Sequence, residues 1–181
     1  MMWRARGALP SVAAITGAIT VVACGGSSPS ASPTSTPGGS CQGSSGVAST
    51  TTASYVVVLD VGPPEVMYSQ DQVNSQHPTT GEVMLGGAMT DVSGAGVQHL
   101  EAHICNKSSG SVVTGASPTI TVQDTTAGTP SQDLPVAEMQ GVTASTSDYH
   151  YGNNTVLRSG HTFAITVKLN GETANLSYHA S

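Results

Sequence analysis

The sequence predicts an all-β fold, an antiparallel β-sandwich of about seven to nine strands, and three observations carry that expectation. The 181 residues include 22 Thr and 20 Val, a β-branched excess that suits pleated, half-buried strands. Twenty-one Gly and ten Pro punctuate the chain with turns and break helices. Short apolar-alternating runs recur between turn clusters, as in a sandwich built from hairpins. An eight-stranded barrel is the alternative closure of the same strands, and no internal repeat points to a solenoid.

The first 23 residues read as an export signal. Arg4 and Arg6 form a short positive region, an apolar run from Ala8 to Ala23 follows, and the run ends in Val21-Val22-Ala23-Cys24. That ending resembles the bacterial lipobox, in which the Cys becomes the lipidated N-terminus. A plain secretory signal would also carry small residues there, but Cys24 followed by Gly25-Gly26-Ser27-Ser28 favours lipidation. About 16 imperfectly apolar residues fall short of a membrane span. Residues 24–54 form the lipidated Cys and a Ser/Pro/Gly/Thr linker, with no Asp, Glu, Lys or Arg between 25 and 54. A flexible tether of that length holds a domain on the order of 30 Å from the membrane.

The domain is assigned to residues 55–181. Tyr55 to Val61 is a strand closed by Gly62-Pro63-Pro64, and Met67 to Val73 makes a short helical turn. Glu82 to Met89, Val97 to Ile104, Thr119 to Val122 and Leu134 to Met139 are further strands. The clearest element is Thr162 to Leu169, then Asn170-Gly171, then Glu172 to Tyr178: an Asn-Gly hairpin. Phe163, Ile165, Val167 and Leu169 face the core with Ala174, Leu176 and Tyr178 opposite.

Of three cysteines, Cys24 is assigned to lipid. Cys41 and Cys105 either pair, in a compartment where disulfides persist, or remain two thiols, with Cys105 near enough to the histidines to serve as a ligand.

Gln98-His99-Leu100-Glu101-Ala102-His103-Ile104-Cys105 alternates throughout. A strand puts His99, Glu101, His103 and Cys105 on one face and Leu100, Ala102 and Ile104 on the other. His99 and Glu101 lie about 7 Å apart, close enough to share an ion; His99 and His103, about 13 Å apart, do not on a straight strand. The plain alternative is a solvated outer face of an edge strand. Ser147-Asp148-Tyr149-His150-Tyr151-Gly152-Asn153-Asn154 reads as a turn from which His150 projects. Met139 ends the run before it; Met among β-branched residues is ordinary core packing, but thioether with imidazole also selects copper, and an added carboxylate extends a site toward harder ions such as ferrous iron.

The order His-Leu-Glu-Ala, an upstream Met, then Ser-Asp-x-His-Tyr-Gly resembles the bacterial periplasmic iron-transport protein family over roughly Tyr55 to Tyr178. The resemblance implies an Ig-like β-sandwich that binds copper and is associated with iron uptake. Carried over by position, His99, Glu101, Met139 and His150 match the family's metal site, and His103 is a candidate additional ligand. A homodimer with the site near the subunit interface is also implied. The family's further His on the penultimate strand is replaced by Lys168, which is no ligand when protonated, so either the copper geometry is incomplete or His103, His161 or His179 substitutes.

These features narrow the function. Three basic residues against eleven acidic ones in the mature chain leave no basic stripe for nucleic acid. No Gly-x-Ser-x-Gly elbow, His-Glu-x-x-His pair or phosphate-binding Gly-Lys loop occurs, so a non-enzymatic role is expected. The expected protein sits on the extracytoplasmic face of a bacterial cell membrane, anchored through Cys24, and binds copper or iron in support of a membrane permease. The competing reading is an Ig-like adhesion or scaffolding lipoprotein domain without metal.

Overall fold

A computed structural model describes residues 41, 46–90, 92–143 and 148–181. The signal segment 1–23, Cys24, most of the linker and Ser147 lie outside the described residues. No helix among the described residues is long and apolar enough to cross a membrane.

The described residues form eleven strands and one short helix: β1 (Ala48–Thr51), β2 (Tyr55–Gly62), β3 (Met67–Tyr68), α1 (Gln70–Gln76), β4 (Glu82–Gly87), β5 (Val97–Asn106), β6 (Thr119–Asp124), β7 (Gln132–Leu134), β8 (Ala137–Gly141), β9 (His150–Val156), β10 (Thr162–Leu169) and β11 (Glu172–His179). They make an all-β sandwich of a seven-stranded sheet, β1-β2-β5-β9-β8-β4-β3, and a four-stranded sheet, β11-β10-β6-β7. All pairings are antiparallel except β3 with β4.

The Asn-Gly hairpin forms as expected. Asn170 and Gly171 sit at φ 50° and 80°, the left-handed pair that matches strand twist in a two-residue turn. Phe163 pairs with Tyr178, Ile165 with Leu176 and Val167 with Ala174. These side chains meet Val57, Leu59, Leu100, Ala102, Ile104 and Tyr151 of the large sheet in one core.

The strand count exceeds the expected seven to nine for identifiable reasons. β1 lies inside the stretch assigned to the linker, where Ala48–Thr51 pairs with Val56–Leu59 despite lacking any charged or strongly apolar signal. The Leu134–Met139 run is two strands in different sheets, because Pro135 lacks the N–H to continue a ladder and the chain changes sheet there. The helical turn expected at Met67 to Val73 is instead the two-residue β3 followed by α1, which starts at the capping box of Ser69 and Gln72.

The largest correction is β9. The segment expected as a turn is a buried strand between β5 and β8. Gly152 is required by packing: a Cβ there would run into the Leu100 carbonyl of the neighbouring strand. Asn153 turns its amide to the Ala88 and Pro135 carbonyls and to Thr90, holding two connections in place. The polar residues of this strand thus satisfy backbone groups of other segments, which a turn reading could not anticipate.

Candidate metal centre

The outer face of the large sheet carries the candidate site. In the β5–β9 ladder His99 pairs with Asn154 and Glu101 with Gly152; in β8–β9 Met139 pairs with His150; in β4–β8 Met84 pairs with Met139 and Glu82 with Gly141. Cross-strand partners project to one side of a sheet. His99, Glu101, His103, His150, Met139, Met84 and Glu82 therefore share the face opposite the core. This face is no solvated edge: β5 is interior to the sheet, and His99, His103, His150 and Met139 are buried.

His99 and His103 meet indirectly, with His150 standing between them from the next strand. Its ring centroid lies 5.4 Å from that of His99 and 5.5 Å from that of His103. The straight-strand separation of the two β5 histidines is bridged by a third imidazole. Glu101, His103, Asp148 and His150 place one ligand atom each within 4.8 Å of one another, an arrangement that could hold a metal ion.

Hydrogen bonds decide which nitrogens are available. His99 Nδ1 donates to Asn154 Oδ1 (3.0 Å), whose role as acceptor is set because Asn154 Nδ2 donates to the Glu65 carbonyl (2.9 Å). His150 Nδ1 donates to the Asp148 carbonyl (2.9 Å), and His103 Nδ1 donates to the Tyr149 carbonyl (3.1 Å). Each histidine thus spends Nδ1 on an oxygen that only accepts, the pattern by which proteins orient imidazole ligands. The Nε2 atoms face other side chains of the region. Those of His99 and His150 face each other at 3.3 Å, and that of His103 faces Glu101 Oε2 at 3.2 Å. Glu101 Oε2 also stands 3.8 Å from His150 Nδ1, the nitrogen already committed to Asp148.

Two nitrogens each about 2.0–2.1 Å from a tetrahedral ion stand roughly 3.4 Å apart. The His99–His150 pair has that bite. Burial pushes His150 down to about 4, so it is neutral at pH 7 and its Nε2 lone pair is open to a metal ion. Burial raises Glu101, but the His103 hydrogen bond and the neighbouring histidines outweigh it and hold the carboxyl below its usual range. Asp148 is raised by burial and by Glu101.

Two carboxylates of this region were not among the sequence candidates. Asp148 joins the cluster from the residues just before β9. Glu82 is 6% exposed, and its Oε2 has no hydrogen-bond partner among the described residues. Burial, then Asp148, Glu101 and Glu65, push it up to about 8. The available signal was an acid alternating with Met84 at the head of an apolar run.

Other sequence candidates fall elsewhere. Lys168 is exposed on β10 of the four-stranded sheet, where its neighbours Val167 and Leu169 face the core, so it points away from the cluster. His161 bonds Asp124 (2.7 Å) and His179 bonds Thr162 (3.1 Å) at the end of that same sheet; neither substitutes as a ligand. Cys105 is disulfide-bonded to Cys41, with Cα atoms 6.2 Å apart, which removes it as a thiolate donor.

No protein-family model, curated protein or solved structure matches the chain. The reading of the site rests on its own geometry.

Proposed function

We propose that this protein is a membrane-anchored extracytoplasmic metal-binding protein that holds copper or iron and supports iron uptake by a membrane permease. The observation that carries the reading is the pair of buried Nε2 atoms of His99 and His150, 3.3 Å apart, with both Nδ1 atoms committed to oxygen acceptors. Imidazoles with the buried thioether of Met139 on the same face favour copper. Glu101 and Asp148, clustered with His103 and His150, supply oxygen donors that extend the range toward ferrous iron. The role is capture and delivery rather than turnover. Cys24 would carry the lipid anchor, and the resemblance of His99-Leu100-Glu101-Ala102 and Asp148 to Gly152 to the iron-transport family supports the permease and homodimer parts of the reading.

Titration of the purified protein with Cu²⁺ and, anaerobically, with Fe²⁺ tests it. Tight uptake of copper is expected, weakened about 100-fold or more in His150→Ala. Absence of uptake of either metal at high micromolar concentration would sink the proposal and leave an adhesion or scaffolding domain.

A further inference from the structure

The connection from β2 to β3 fastens over the candidate metal face. Gly62, the last residue of β2, is the register partner of His99. Glu65 is gripped at both peptide groups by one side chain: its N–H donates to Asn154 Oδ1 (3.1 Å), and its carbonyl accepts from Asn154 Nδ2 (2.9 Å). Beyond it the Val66 carbonyl accepts from the Glu82 N–H (2.9 Å). Asn154 pairs with His99 across the β5–β9 ladder, so the segment Pro63–Val66 is a strap held against the face where His99 is fully buried.

The same Asn154 Oδ1 accepts from His99 Nδ1. Its amide orientation is dictated by the strap, because a flipped amide would set an NH₂ against the Glu65 N–H and an oxygen against the Glu65 carbonyl. With the strap closed, only an acceptor faces His99 Nδ1, and His99 must keep its Nε2 lone pair toward His150. Asn153, one residue earlier, differs: its amide serves Thr90, Ala88 and Pro135 and touches no ligand candidate.

We propose that Asn154 is a positioning residue that couples closure of the Pro63–Val66 strap to the metal-ready tautomer of His99, making the strap the route by which metal enters and leaves. The metal half of this proposal rests on the reading of the histidine cluster given above. With the strap open, the Asn154 amide is free to rotate, and His99 loses the acceptor that fixes its proton.

Two measurements on the full chain test it separately. Long-range ¹H–¹⁵N NMR of the metal-free protein should show the Nδ1–H tautomer at His99, giving way to a mixture or to Nε2–H in Asn154→Leu. Copper should bind Asn154→Leu about 10–100-fold more weakly, with altered Cu²⁺ EPR parameters. Asn154→Asp keeps an acceptor for His99 but loses the donor to the Glu65 carbonyl. It should retain the wild-type EPR signature while yielding copper to a chelator about tenfold faster or more. An Nε2–H tautomer in the metal-free wild type, or wild-type copper affinity and EPR in Asn154→Leu, overturns the proposal, as does unchanged release from Asn154→Asp. Failure of the wild type to bind copper would instead overturn the metal reading, and the tautomer measurement would still decide the role of Asn154.

Discussion

The two faces of β5 carry alternate residues of one ten-residue strand, yet they are stabilised by different physics. Leu100, Ala102 and Ile104 are buried in the core between the sheets, where their contribution scales with apolar area removed from water. His99, Glu101 and His103 are buried or half-buried on the other face, where each polar atom needs a partner. The first face needs only shape and apolarity. The second needs protons, or a metal, in particular places. A strand buried on both faces can therefore carry a tolerant half and an exacting half.

The largest expected effect comes from breaking the contact that serves both faces. Gly152→Val drives a side chain into the Leu100 carbonyl, and a loss on the order of 4 kcal/mol or more is expected in urea unfolding. A loss under about 1 kcal/mol would show that β5 and β9 separate at little cost.

A pH titration sharpens the comparison, because only the outer face titrates. His150 sits at about 4 when folded against an ordinary 6.5, so the unfolded chain binds the extra proton first as pH falls. Its stability contribution is intact above pH 6.5 and declines toward pH 4, by about 3 kcal/mol in the metal-free protein. His150→Gln should remove that part of the acid slope. Persistence of the full slope in the variant would place its origin elsewhere.

A second titration, at least as large, has the opposite sign. Glu82 is raised to about 8, so its contribution is full below pH 4.5 and is lost as pH rises through 8. Between pH 4.5 and 6.5 this loss opposes the gain from His150. Glu82→Gln should raise the metal-free Tm at pH 8 by roughly 10–15 °C and change it little at pH 4. Equal shifts at both pH values would mean that packing, not charge, decides the variant's stability.

Much of the sandwich was legible because its signals are local. The Asn170-Gly171 turn and the alternation in β5 and β10 depend on backbone preferences and period-two burial, both written into neighbouring residues. His99, Glu101 and His150 stood out by residue type and spacing, and His103 by its place on the same strand face. Misreadings arose where the partner is distant. Asn153 and Asn154 carry turn chemistry, but their amides are consumed by segments 18 to 89 residues away. Ala48–Thr51 becomes a strand only because β2 offers it an edge.

By itself the sequence determined an all-β chain with a histidine-bearing alternating strand and a paired polar motif downstream, since period and residue type are properties of short segments. Only the tertiary structure decided that His150 fills the gap between His99 and His103, that Asp148 and Glu82 adjoin them, and that Lys168 and His179 lie on the other sheet with His161 just before its strand β10. Strand order and register set those distances, and both emerge from pairing between segments far apart in the chain.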